Sequence, residues 1–447
     1  MLPISDIPAC LKIFTSNFSE VFNHPAQERH LQEYLAGLVS GGNRTIAGIH
    51  QRLRSGAAYE GLHHFMTESP WSVLEFRKQR LEWIKNRIPS HKESPTVVAI
   101  DSTFGHHTGK KIHGTYWYWD YGKRQFCLAQ RVVISTYVSP SKLVPLGSQI
   151  YHRGFLDEQK LYLEETKPRV DAPPEDWDSF NELTKRYEEN CAEHKTQLQI
   201  AADLVDECEE VGFPKDAYVL DGAFLDKQLM SRIDEYGQAW VSRLAKSRLV
   251  RIDAAKFVSV EEFAKSIPKE AFNATPVQTR HGEPRVYWCF GKNLMLKNWK
   301  VLRVLISYDN ENLEGEPYFL ITNKTNWVQA RKILQTYMMR DPIEHLIRDQ
   351  KQELGFEDNQ QRNETSVLKH WELCFAAHAF LELGFDVDYP EEMPVPKLET
   401  IGQKCRFFEV ELLQSFIHNI QSLVLDHRGT KEVLTAIARK RLNRLAH

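Results

Sequence analysis

Apolar and polar positions alternate with different periods along the chain. Up to about residue 90 the apolar positions recur at intervals of three and four. "LQEYLAGLVSG" closes on Gly41-Gly42, a helix C-cap signal, and "NRTIAGIHQRL" and "AAYEGLHHFM" follow across a short Ser-Gly turn. Two short helices with a tight turn suit a helix-turn-helix-like unit. Arg44, Arg52, Arg54, His63 and His64 interleave there, either as a solvated bundle face or as DNA contacts.

In "PTVVAIDST" the period changes. Four β-branched or small residues, Val97 to Ile100, stop at Asp101, which predicts a buried strand with a carboxylate at its C-terminal end. "IHGTYWYWDY" and "FCLAQRVVISTYV" continue as strands around Gly122-Lys123, predicting a three-stranded antiparallel meander. Residues 155–195 are acidic and Pro-containing, a surface excursion. "KTQLQIAADLVDECEEVGF" is an amphipathic helix ending at Gly212. "DAYVLDGAF" repeats the earlier pattern, with strand Ala217 to Leu220 stopping at Asp221. Helix "LDKQLMSRIDEYG" and strand "QAWVSRL" come next, so the two strands pair in parallel through a right-handed crossover. Residues 245–315 read as a β-rich insertion, "EPYFLITN" as a further strand, and the chain from Trp327 onward as helices. The last twenty residues hold Arg428, Lys431, Arg439, Lys440, Arg441 and Arg444 against one acid, Glu432.

Composition adds limits. A chain of 447 residues predicts two or three domains, and 42% hydrophobic with 26% charged residues describes a soluble globular protein. The net charge of −3 neither favours nor excludes a nucleic-acid partner, because binding needs a local positive surface. The seven cysteines are widely spaced without C-x-x-C, against a disulfide framework or zinc ribbon, and suit reduced thiols in a cytosolic protein. "MLPISDIPACLKIF" lacks signal-peptide character, and no apolar run reaches membrane-spanning length.

The candidate chemistry lies in "YMMRDPIEHLIRDQK". On one continuous helix Tyr337, Arg340, Glu344, Arg348 and Lys351 would fall within about 40° of Glu344, a polar stripe where an apolar one is usual. Alternatively Asp341 caps a new helix, Pro342 takes its first position and Glu344 closes a capping box, which bends the face between Arg340 and Glu344. Asp101 and Asp221 admit a similar plain reading as turn formers or helix caps. Brought together, three carboxylates would be hard oxygen ligands for magnesium or manganese.

The spacing Tyr337, two residues, Arg340, three residues, Glu344, six residues, Lys351 resembles the Y-R-E-K signature of DDE insertion-sequence transposases, the broad family numbered four and its relatives. Asp101 in "VVAIDST" and Asp221 in "YVLDGAF" match its first two acids in order and context, and the resemblance covers roughly residues 95–385. Asp341-Pro342 follows the signature arginine, where that family often has a bulky aromatic.

The resemblance implies an α/β fold: a ribonuclease-H-like catalytic domain with a β-rich insertion, flanked by helical regions. The segments would be a DNA-binding domain at 1–92, catalytic parts at 93–244 and 316–385, the insertion at 245–315 and a basic helical region at 386–447. It implies cut-and-paste transposition, with Asp101, Asp221 and Glu344 as the catalytic, metal-binding acids for two magnesium ions, manganese substituting. Tyr337, Arg340, Arg348 and Lys351, with Arg439, Lys440 and Arg441, would contact DNA. Trp288 and Trp299 would be either stacking partners for a flipped base or core residues. His106 and His107 stand close to Asp101 as metal ligands, phosphate contacts or plain loop residues. The implied partners are inverted-repeat ends and target DNA, with a homodimer on DNA, in a bacterial cytoplasm at the nucleoid and without a membrane. The competing readings are an inactive, domesticated DNA-binding relative and a ribonuclease-H-like nuclease.

Overall fold

The computed structural model describes residues 3–425 except 55–57, 90–94, 121, 153, 254–255, 279–283 and 386–397. The basic Arg439, Lys440 and Arg441 lie outside the described residues. The helices that open the chain are α1 (Ala9–Ser16), α2 (Pro25–Val39), α3 (Ile46–Arg52), α4 (Tyr59–Thr67) and α5 (Val73–Lys85). Strands β1 (Val97–His106), β2 (Thr115–Asp120), β3 (Gln125–Val138) and β4 (Leu143–Tyr151) follow. Next come α6 (Gly154–Thr166), α7 (Pro174–Glu193), α8 (Gln197–Val211), β5 (Ala217–Leu220), α9 (Lys227–Glu235) and β6 (Trp240–Arg243). Then run β7 (Leu249–Arg251), β8 (Phe257–Ser259), α10 (Val260–Lys265), β9 (Asn273–Val277), β10 (Arg285–Leu296), β11 (Val301–Tyr308) and β12 (Tyr318–Thr322). The remaining helices are α11 (Ala330–Met338), α12 (Pro342–Glu353), α13 (Glu364–Ala379) and α14 (Ile401–Leu425). Among the described residues no helix is long and apolar enough to cross a membrane.

The chain divides into two compact units. The first joins residues 1–88, 105–113 and 345–447, and the second joins 89–104 and 114–344. In the first, the opening helices and α13 form one body, although nearly 300 residues separate them. Buried links tie them: Arg77 Nε donates to Glu372 Oε1 at 2.7 Å, Arg80 to Glu372 Oε2 at 2.9 Å, and Lys369 Nζ to the Ser69 carbonyl at 2.6 Å. The Tyr34 hydroxyl meets His370 Nδ1 at 2.8 Å. These bonds make it possible for α13 to be buried on nearly every side while carrying lysine, histidine and glutamate.

Two of the basic residues read as possible DNA contacts are structural here. Arg52 is buried and donates to the carbonyls of Gly37 and Ser40, at 2.6 and 3.3 Å. Arg44 is buried with Nε on the Leu38 carbonyl at 2.9 Å. Both close the C-terminal end of α2, where carbonyls lack intrahelical partners.

The second unit is built on one mixed twelve-stranded sheet, ordered β2-β3-β1-β5-β6-β12-β11-β10-β7-β8, with β4 on β3 and β9 on β10. β1 and β5 pair in parallel, as do β5 and β6. The strand–helix–strand crossover therefore forms as the sequence predicts. Helix α8 ends as expected, with Gly212 in the left-handed conformation at φ 71° closing its last carbonyls.

One expectation is corrected. The meander does not form: β3, not β2, lies beside β1. An unanticipated strand, β4, pairs with the buried half of β3. Its Pro145 sits opposite Thr136 at a register shift, and such an irregularity is where a sheet accommodates a residue without an N–H. The strands of 245–315 continue the main sheet, because β12 bridges β6 and β11 and carries the ladder onward to β10. Residues 155–195 are indeed at the surface, but as two helices; α7 buries none of its residues. A core of Val241, Val277, Cys289, Leu305, Leu320, Ile333 and Leu334 fixes α11 against these strands.

Candidate active site

Two strands bring the first two acids together. The register pairs Val97 with Ala217 and Ile100 with Leu220, so Asp101 and Asp221 both follow the last parallel pair. Paired strands lie about 4.8 Å apart, which sets the two acids side by side. Asp101 is not the end of its strand, as the apolar run suggests; β1 continues to His106. What stops there is burial and the pairing with β5. Asp221 stands at the N-cap of a single 3-10 turn, yet its side chain makes no capping bond. The plain capping role is therefore not what its carboxylate does.

The polar stripe is split as the proline predicts. Helix α11 ends at Met338, Arg340 lies in the turn, and α12 starts at Pro342. Arg340 still points at the acids. Its guanidinium donates to Asp101 Oδ2 at 2.5 Å and lies 3.6 Å from Glu344 Oε1. Arg340 and Asp101 are largely buried, whereas the Glu344 side chain is 68% exposed.

Burial pushes the Asp101 carboxyl above its usual range, and Asp221 adds to this; Arg340 and the Ser102 N–H pull it down. Burial works against the Arg340 charge, but Asp101 and its neighbouring anions outweigh it and hold its pKa high. A raised acid pKa means that Asp101 favours the folded state while protonated and costs stability as pH rises through its folded value. Arg340→Gln should therefore move the Asp101 titration further up, read by carboxyl-carbon NMR. An unmoved titration would refute the pairing.

Tyr337 is half-buried against the core of the second unit, and burial pushes its hydroxyl up to about 12. Asp221, Arg340 and Arg243 all act on it electrostatically, so it stands near the acids without bonding them. Arg243 was not singled out from the sequence. It ends β6 and lies over the Tyr318 ring at 5.4 Å, with no carboxylate at ion-pair distance among the described residues. Together with Asp221, Lys246, Glu261, Glu316 and Phe319 it lines a cavity of about 410 Å³. A strand ending in arginine beside a parallel strand ending in aspartate was the available signal.

Arg348 is exposed on α12, while Lys351 pairs with Glu357 at 3.3 Å. Glu357 also accepts from the His106 backbone at 3.0 Å and faces its ring at 3.3 Å. Burial raises the Glu357 pKa, but His106 and Lys351 together bring it below the usual range. Trp299 stacks on the buried Trp240, with centroids 6.0 Å apart and planes 8° apart. Trp288 is half-buried in β10 between Tyr308 and Ala274.

Comparison with known proteins gives matches in both halves of the chain. The family described as "DDE superfamily endonuclease" matches residues 17–265, and "Transposase DDE domain" matches residues 186–380. Asp101 and Asp221 fall in the first match, Asp221 and Glu344 in the second. The probable transposase for insertion sequence element IS701 of Microchaete diplosiphon is 24% identical over 308 residues, 67% of this chain and 68% of the relative. The NurA nuclease of Sulfolobus solfataricus aligns with 60% of this chain and 80% of its own at 14% identity. Its TM-score of 0.23 is too low to bear on fold or function. With the endonuclease match spanning more than half of its length, the chain belongs to the DDE endonuclease superfamily.

Proposed function

We propose that the protein is a DNA transposase that binds the inverted-repeat ends of an element, cuts the phosphodiester there and joins the freed 3′-hydroxyl to target DNA. The observation that carries this reading is Arg340 held between Asp101 and Glu344, with Asp221 on the strand paired in parallel with that of Asp101. The strand order β4-β3-β1-β5-β6, with parallel β1, β5 and β6, supports a ribonuclease-H-like catalytic sheet.

The donor set suits a divalent cation. It offers carboxylate oxygens alone, and two adjacent anions raise the demand for positive charge. Asp101, Asp221 and Glu344 would hold magnesium, with manganese as a substitute. Such ions, when bound, supply an acidified water and neutralise charge on the reacting phosphate. The chain's own residues do the positioning. Arg340 offers a fork of donors that a phosphate accepts as readily as a carboxylate. Arg243, lining the cavity beside Asp221, adds a second cation for the strand that enters there. Tyr337 remains a neutral donor at working pH, since its pKa is about 12.

The test is cleavage of DNA carrying the inverted repeats that flank this reading frame, with magnesium or manganese. Nicking at the repeat ends followed by strand joining is expected. Cutting without such ends, or binding without any nicking, would overturn the proposal. Arg243→Gln should raise the half-saturating DNA concentration by about tenfold to a hundredfold, the worth of one charge-assisted contact. An unchanged value would place Arg243 outside the DNA path.

A further inference from the structure

Strands β2 and β3 form a two-stranded ribbon with unlike faces. Directly opposite residues share a face, so Trp117 with Leu128 and Trp119 with Phe126 occupy one side, and Tyr118 with Cys127 the other. The Tyr118 side is packed. Its ring lies 5.5 Å from that of Phe104 on β1, and its hydroxyl donates to the Tyr151 carbonyl at 3.2 Å. On the other side Leu128 is covered, but the rings are open: Trp117 is 52% exposed, Trp119 41% and Phe126 63%. Trp119 and Phe126 meet edge to face at 5.2 Å. Three large rings grouped on one exposed face mark a binding surface.

The tip of the ribbon is cationic. Asp120 Oδ1 accepts the N–H groups of Gly122 and Lys123 at 2.9 and 3.0 Å and tightens the turn. Lys123 and Arg124 are exposed there and make no ion pair among the described residues. Arg124 has φ 52°, a conformation that glycine or asparagine adopts more readily. Phe104, on which the packed face rests, is three residues beyond Asp101, about 10 Å along β1.

We infer that this ribbon binds a DNA strand with unpaired bases. The exposed rings stack on the bases, and Lys123 and Arg124 take the phosphates. Alternate residues of a strand stand about 7 Å apart, roughly twice the 3.4 Å step of stacked bases. Rings at that spacing suit bases that have left the stack, and aromatic stacking accepts any base. The unpaired cations at the tip complement a polyanion, which favours DNA over a second copy of the chain. The inference rests on the DNA chemistry proposed above and places a strand near Asp101.

The full chain is assayed in chelator, by fluorescence anisotropy, with a labelled oligothymidine and with a blunt duplex of equal length. Trp117→Ala/Trp119→Ala should weaken oligothymidine binding by about tenfold or more and duplex binding by less than about twofold. Trp117→Ala alone, at an exposed ring that meets no other ring among the described residues, should cost at least about fivefold and keeps the test open if the double variant misfolds. Lys123→Gln/Arg124→Gln should flatten the salt dependence by about one unit of slope. Unchanged oligothymidine affinity would overturn the inference, as would equal losses on both substrates. Sedimentation showing that the tryptophan variant separates a dimer while DNA affinity holds would assign the face to a second copy instead. A wild-type chain that binds oligothymidine but never nicks repeat ends would defeat the proposed function and leave the ribbon standing.

Discussion

Asp221→Ala is expected to abolish cleavage of repeat-end DNA, by about a thousandfold or more, while leaving DNA affinity and the melting curve nearly unchanged. The scale is that of removing one group that stabilises transition-state charge. Both halves of the expectation follow from the surroundings of Asp221. Its carboxylate makes no capping bond, so removing it leaves the 3-10 turn intact. Its strand, Ala217–Leu220, is wholly buried and paired on both sides, so the backbone stays in place. The loss should therefore be chemical. Gel assays of nicking and joining, beside a binding titration, measure the two quantities separately. Retained strand joining by the variant would remove Asp221 from the active site, and with it the pairing to Asp101 on which the mechanism depends.

Glu372→Ala should destabilise the first unit by about 3–5 kcal/mol, the usual cost of stripping the partner from a buried charge. Glu372 has no exposed surface and receives Arg77 at 2.7 Å and Arg80 at 2.9 and 3.2 Å. Both arginines are buried, and Arg80 also lies over the Phe375 ring at 5.6 Å. Without the carboxylate, two guanidinium groups would remain in a site that water does not reach. Replacing all three residues by apolar ones of similar size should recover most of the loss, because no buried charge then remains there. Urea unfolding, followed by a probe in the helical unit, reads both variants. A change below about 1 kcal/mol would show that the arginines find other partners.

Local patterns in this chain identified most of its elements. The four apolar residues before Asp101 and before Asp221 marked two buried strands, and Gly212 marked the end of α8, because backbone conformation and burial period are set by nearby residues. Pro342 likewise marked the break between α11 and α12. Which groups then meet was beyond reach of such patterns. Arg340 finds Asp101 across 239 residues, and Glu372 finds Arg80 across 292. In the sequence Arg44 and Arg52 look as much like DNA contacts as like structural residues; only packing turns them inward onto the end of α2. Pro145 argues against a strand until the register shift in β3 supplies a place for it. Trp299 could have faced a base or the core, and Trp240 takes one of its faces. The sequence thus determined most of the strands and helices, though not β4, α6 or α7. The tertiary structure decided which charges face one another, since a burial pattern records that a side chain is covered without recording what covers it.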